Sequence, residues 1–417
     1  MKEMLVKNLL ANSVNQVITI ATLLVLTPLF LHYWGDQRYG AWLVMVSIPL
    51  LLAYADFGSG PVFANHLSLK MEDPSENPEE IFWTGLATQI AFCLLTTSAF
   101  LAFMFSHREA TGNTQLTVSI CMTTYAVLGV LATYITGCSR AIGENHNYTN
   151  IGTAIRGTEI IVTALALNLG GDEQTLATSL MANRAIGTAL IFLKIKTNKQ
   201  IFKTGKPKAN LGLAKHLIPD SMSFALYPLS LALMLQIPIN IINSNFGPVA
   251  VALYATTRTL ARVPVQFSNI ISSSLWPILT KIIGVKEDLH GGAKIIQQAN
   301  LAIIVFIIIF IPSGLLLGNY IFNLWTAGAL KFSPELFAAL GIQAGISAVW
   351  MNSIMKTIST NSHTRTCLTL SIITILTLSI CDAIASEGMT SIIMTLIAGE
   401  ILMLIAAQYR PLDRKKS

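Results

Sequence analysis

Long apolar runs, each about as long as a bilayer is thick, recur along the whole chain with short polar punctuation between them. Roughly 20 apolar residues in helical conformation cross about 30 Å of hydrocarbon. That spacing predicts membrane-spanning helices over 9–31, 40–66, 81–105, 115–138, 149–169, 175–194, 217–244, 249–280, 293–318, 333–357, 366–385 and 389–409. The expected fold is therefore an all-α integral membrane protein with about twelve transmembrane helices. Its first run is too long for the apolar core of a cleavable leader and lacks a small-residue cleavage site, so it is expected to remain as helix 1.

Composition agrees with this pattern. Of 417 residues, 53% are hydrophobic and 12% charged, with a mean hydropathy of +0.60; soluble domains carry about 25% charged residues. The basic residues then set the orientation. With a cytoplasmic N-terminus, 20 of the 27 Lys and Arg residues fall inside and three (Arg38, Arg108 and Lys331) outside; both termini are expected to be cytoplasmic. The net charge of +6 is on this reading a topology signal and no sign of nucleic-acid binding. All five cysteines (Cys93, Cys121, Cys138, Cys367 and Cys381) lie in expected spans without CxxC or His-rich company, which supports neither a disulfide framework nor a metal site.

The longest cytoplasmic connection, 195–216, is rich in lysine and holds no acid until the next helix begins. It divides the spans into an N-terminal six-helix lobe, 1–194, and a C-terminal six-helix lobe, 217–417, expected to enclose a central cavity. The segment reads as a solvated topogenic linker, with attraction to anionic membrane lipids as the functional alternative. A local repeat supports the two lobes. Gly35 closes the turn after helix 1 and Gly247 the turn after helix 7; an aromatic residue, Trp42 or Tyr254, follows seven positions later in each. Both repeats run in the same direction, which implies an axis along the membrane normal. Outer connections are short, the longest about 15 residues around 319–333, leaving no room for a soluble catalytic domain.

Ionised groups at bilayer depth cost at least about 2.5–3.5 kcal/mol, so those within the spans are the candidate functional residues. Arg156 and Glu159, spaced i, i+3 on helix 5, can share one face. Either they form a neutralised pair between helices, or Arg156 contacts a ligand while Glu159 holds it. Arg184 sits mid-helix 6 with no acid nearby in sequence and is expected to converge with Arg258 and Arg262 of helix 8 on one central cavity that binds an anion. Arg258 and Arg262, spaced i, i+4 on helix 8, repel one another unless water or an anion lies between them. Guanidinium forks match phosphate oxygens bidentately, so an anion-binding role is expected there. Asp56, toward the cytoplasmic end of helix 2, reads as a gate or a partner for a cavity arginine. Glu400, mid-helix 12 with no nearby base in sequence, is the candidate coupling-ion site. Prolines at 28, 49, 61, 228, 238, 264, 277 and 312 offer hinges, and Ser268, Asn269, Ser272, Ser273 and Ser274 offer helix 8 a polar lining. No nucleotide, cofactor, hydrolase or zinc motif is present, so an enzyme is not expected.

Several of these stretches carry a resemblance. Asn8–Leu31 with Pro28, then Gly35, Tyr39-Gly40-Ala41-Trp42 and Asp56-Phe57-Gly58, resembles the opening of Wzx-type O-antigen flippases. These belong to the multidrug/oligosaccharidyl-lipid/polysaccharide (MOP) exporter superfamily. Ala252–Arg262 looks like that family's helix 8, and Leu275-Trp276-Pro277 like its inner end. The resemblance implies a MATE-like fold and a place in the bacterial cytoplasmic membrane. It further implies movement of an undecaprenyl-diphosphate-linked oligosaccharide from inner to outer leaflet by alternating access, with H⁺ or Na⁺ as candidate drive. Polysaccharide assembly proteins are candidate partners. The alternatives are a multidrug or cation exporter of the same superfamily, whose mostly cationic substrates an arginine-lined cavity would repel, and a membrane polysaccharide polymerase or glycosyltransferase.

Overall fold

The computed structural model describes residues 2–71, 73, 77–106, 108–202, 208–279, 282, 289–358 and 364–408. Lys203, Lys206, Lys281, Lys286, Arg410, Arg414, Lys415 and Lys416, all used in the orientation argument, lie outside them, as do the side chains of Ser273 and Ser274. The chain is all-α. Its helices are α1 (Lys2–Leu51), α2 (Ser59–Lys70), α3 (Pro78–Ser106), α4 (Arg108–Cys138), α5 (Asn145–Asn168), α6 (Glu173–Lys196) and α7 (Leu211–Ala261). They continue with α8 (Val263–Leu279), α9 (Leu289–Thr326), α10 (Pro334–Ser353), the single turn α11 (Met355–Ile358), α12 (Thr364–Ala383) and α13 (Met389–Gln408). Nine stretches among the described residues are long and apolar enough to cross a membrane; α5, which carries Arg156 and Glu159, is not among them.

Two of the longest helices are each a pair. Within α1 the helix breaks at Gly35 (φ 71°, ψ 178°), and within α7 at Gly247 (φ 77°, ψ 176°). That backbone region is essentially closed to residues bearing a Cβ. The repeated glycines of the sequence therefore make the same turn by the same dihedrals. Gly247→Ala is expected to lower stability by about 1–3 kcal/mol. Because a Cβ there meets nothing within 4 Å, the whole loss is backbone strain, readable as a lower melting point of the detergent-solubilised protein. A variant melting like the wild type would show that the turn accepts another conformation.

Contacts gather the chain into two compact units, Met1–Trp34 with Met45–Leu229, and Gly35–Val44 with Ser230–Ser417. Gly35–Val44 belongs with the second unit for a steric reason: any side chain at Gly40 would run into the Pro248 carbonyl, so two backbones meet there. The first unit's core centres on Phe63, Phe82, Tyr134, Ile135, Ile191 and Ile195. Segment 195–216 falls within this unit; most of its described residues are exposed, and it is pinned at two places. Ile201 is fully buried, and Phe202 packs edge-on against Phe82 at 5.0 Å and Trp83 at 5.9 Å. Asn210 donates its backbone N–H to Thr84 Oγ1 (2.9 Å) and its Nδ2 to Glu80 Oε1 (2.7 Å), while its Oδ1 accepts from Leu213 N at the start of α7. Two apolar residues and one capping amide dock the lysine-rich segment.

In the second unit, α8, α9 and α10 are joined by a buried polar chain. Ser272 Oγ donates to Asn352 Oδ1 (3.0 Å), Asn352 Nδ2 to Asn300 Oδ1 (2.8 Å), and Asn300 Nδ2 to Ser353 Oγ (2.9 Å). Such bonds hold membrane helices together where hydrophobicity cannot. The expected loop around 319–333 is shorter than anticipated, because α9 continues to Thr326. The five cysteines are buried free thiols.

Candidate substrate site

The second helix of each half is interrupted. After α1 ends at Leu51 come a 3-10 turn, Leu52–Tyr54, and a bend with positive φ at Phe57 (48°) and Gly58 (74°) before α2 begins. In the other half α7 ends at Ala261 and α8 begins at Val263, leaving Arg262 at the joint. Pro264 explains that joint: it lacks an N–H and disfavours helix at the residue before it. The Arg262 carbonyl instead accepts from Val265 N (3.0 Å) and Gln266 N (3.3 Å). Interrupted helices at matching places in two repeats are where transporters of several folds bind substrate.

Asp56 sits in the first interruption. Its Oδ1 accepts from Gly58 N and its Oδ2 from Gly60 N, both at 3.1 Å, so the carboxylate holds the start of α2. It also lies on the wall of a cavity of about 390 Å³ inside the first unit, together with Tyr54, Tyr125, Thr133, Arg140 and Arg184. Sequence spacing had pointed to Asp56 as a gate or an arginine's partner; its hydrogen bonds are to backbone.

The helix-borne charges of the first unit pair differently from the expectation. Glu159 Oε1 accepts from Arg184 Nη2 at 2.7 Å, and Tyr125 OH donates to the same oxygen at 3.1 Å. Arg184 also donates to Tyr125 OH and lies 4.4 Å from the centre of that ring. Arg184 is thus paired, where sequence had left it alone. Arg156 donates to Thr19 Oγ1 of α1 and has no ion pair among the described residues. The physical reason is packing: α6 lies along α5, bringing Arg184 to Glu159, while α5 sends Thr153 and Arg156 back to Asn15 and Thr19 of α1.

The second unit assembles a comparable group. Arg258 is half-buried; its Nη1 donates to the Leu235 carbonyl at 2.6 Å, and its guanidinium lies 5.0 Å from the centre of the Tyr254 ring. Arg262, also half-buried, interacts electrostatically with Arg258 and with Glu400 of α13. Glu400, 4% exposed, accepts from Trp350 Nε1 at 2.6 Å. The expectation of a carboxylate far from any base is thus corrected by the fold, since Arg262 comes from a distant helix. Trp350, on α10, had not been singled out, and its only sequence signal was a tryptophan within an expected span. Both groups hold two guanidiniums to one glutamate. Among the described residues no cluster of three or more His, Cys, Asp or Glu is placed to hold a metal ion.

No protein-family model matches the sequence, and no curated protein matches it. Solved structures do. A multidrug-resistance MATE transporter of the MOP superfamily in its inward-facing conformation aligns with a TM-score of 0.72 at 13% identity, over 94% of this chain and 93% of that one. An outward-facing structure with the same family description aligns at 0.66 and 12%, over 97% and 94%. A MOP superfamily transporter from Pyrococcus furiosus, described as having a binding pocket of reverse polarity that suggests a different function, aligns at 0.66 and 12%, over 97% and 94%. The likeness is one of fold and runs nearly end to end: this chain is an all-α membrane protein with a MATE-like fold.

Proposed function

We propose that the protein is a membrane exporter working by alternating access, and that its load is an undecaprenyl-diphosphate-linked oligosaccharide carried from the inner to the outer leaflet of a bacterial cytoplasmic membrane. One observation carries the choice of load: in each unit two guanidiniums gather about one buried glutamate, Arg156 and Arg184 with Glu159, Arg258 and Arg262 with Glu400. A diphosphate is the kind of group that excess positive charge in a low-dielectric setting attracts. Taking a diphosphate and a set of sugar hydroxyls through bare hydrocarbon would cost several kcal/mol per polar group; a polar route removes most of that cost. Polysaccharide assembly proteins are the expected partners, and counter-movement of H⁺ or Na⁺ is the expected drive. Glu400 remains the coupling candidate, with Arg262 and Trp350 as its neighbours.

The rival is a multidrug exporter, favoured by what the structural neighbours are described as doing. Reconstitution separates the two. Proteoliposomes holding the full chain are expected to flip a fluorescent undecaprenyl-diphosphate disaccharide, faster under an imposed H⁺ or Na⁺ gradient, and to leave ethidium untransported. Ethidium transport with no lipid flipping would refute the reading; flipping at rates indifferent to both gradients would remove the coupling step.

A further inference from the structure

The cavity inside the first unit meets that unit's arginine–glutamate group only where Tyr125 and Arg184 reach its wall. We infer that this cavity is a sugar subsite, taking one to two neutral pyranose rings from the glycan end of the load; the inference rests on the flippase reading.

The chemistry of the wall selects the ligand class. Its surface is mainly apolar, with Pro61, Val130 and Pro228 beside the tyrosines, and suits the C–H faces of a sugar ring. Set into it are polar atoms with capacity to spare. The Asp56 carboxylate accepts from the backbone N–H groups of Gly58 and Gly60 and interacts with its own, and its two oxygens still have lone pairs for hydroxyl donors. Arg184 Nε is buried with no partner, and Arg140 spends Nε on the Gly137 carbonyl at 3.2 Å while its outer nitrogens have no described partner. A hydroxyl both donates and accepts, so a ring of hydroxyls satisfies acceptors and donors together.

Charge excludes the simpler ligands. Arg184 is already paired with Glu159, so Arg140 and Asp56 leave the wall close to neutral, which suits an uncharged ligand better than a cation or a diphosphate. A volume of about 390 Å³ is at the small end of ligand cavities, enough for a sugar or two and far too little for a polyprenyl tail.

A second observation points the same way. Gln89 is completely buried, yet neither its amide oxygen nor its amide nitrogen has a partner. Leaving such a group unpaired costs about 1–3 kcal/mol. Its Nε2 and Asp56 Oδ2 would each lie 2.8 Å from a Cβ placed on Gly60. Glycine at that position lets the start of α2 pack closely against both groups, which places the unspent Gln89 amide behind the cavity wall at Asp56.

Gly129 makes the test clean, because it lines the cavity and a Cβ there meets no atom within 4 Å. Gly129→Leu therefore fills the cavity from a helix that tolerates leucine. Binding to the full chain in nanodiscs is measured with two probes, undecaprenyl diphosphate alone and undecaprenyl diphosphate bearing one N-acetylglucosamine. The wild type is expected to hold the sugar-bearing probe at least about tenfold more tightly. Gly129→Leu should erase that preference while leaving affinity for the bare lipid and the melting temperature unchanged. Asp56→Asn, which keeps a side chain able to cap α2, should reduce the preference severalfold. Equal binding of both probes by the wild type, or an undiminished preference in Gly129→Leu, overturns the sugar subsite. No binding of either probe by the wild type refutes the diphosphate-lipid reading itself.

Discussion

Arg262→Ala is expected to reduce flipping and surface polysaccharide to background while the protein inserts at wild-type levels, and Arg258→Ala to do the same with some loss of stability. The difference follows from their surroundings. Arg258 donates to the Leu235 carbonyl and stacks on Tyr254, so its removal also unties a helix contact. Arg262 stands at the Pro264 joint, where its backbone makes the hydrogen bonds and its guanidinium has Glu400 as electrostatic partner. A charged hydrogen bond to phosphate is worth about 1.5–3 kcal/mol, which is a loss of roughly 10- to 100-fold in rate per arginine. Arg262→Lys keeps the charge but not the planar fork, and should fall between the wild type and alanine. Wild-type polysaccharide in both alanine variants would end the anion-clamp account.

Arg184→Met should be the most destabilising single change in the first unit. It strips Glu159 of its ion-pair partner in a site where the two side chains are 18% and 9% exposed. Removing one member of a buried pair typically costs about 3–5 kcal/mol, whereas replacing both by neutral groups is close to neutral. Glu159→Gln combined with Arg184→Met should therefore recover most of the melting temperature lost by Arg184→Met alone. A double variant as unstable as the single one would mean that the loss comes from the stacking of Arg184 on Tyr125 and not from the orphaned carboxylate.

The spans were legible because each must be apolar over a fixed length, and the turns at Gly35 and Gly247 because only glycine adopts their dihedrals. The interruption of helix 2 was not read: 40–66 looked continuous, since its apolar content hardly drops. The signal lay in the crowding of Asp56, Gly58, Gly60 and Pro61, four turn-forming residues in six positions. The partners of Glu159 and Glu400 were illegible for a different reason. Local spacing reports only neighbours on the same helix, so it offered Arg156 to Glu159 and nothing to Glu400, while the true neighbours Arg184 and Arg262 arrive by helix packing. The docking of 195–216 was hidden by its lysines, which set the composition although Ile201, Phe202 and Asn210 set the contacts.

Helix α5 has a consequence for biogenesis. It falls short of the apolar content needed to cross a membrane on its own, and at the gentlest scale each of its two charges costs about 2.5–3.5 kcal/mol in the lipid centre. The nascent chain thus lacks a favourable way to release α5 sideways from a translocon until Arg184 has been synthesised. Only a short turn, from Leu169 through the Asp172 cap, separates α5 from α6. The two are expected to enter the bilayer together as a hairpin, with the ion pair between Glu159 and Arg184 formed before lipid closes around it.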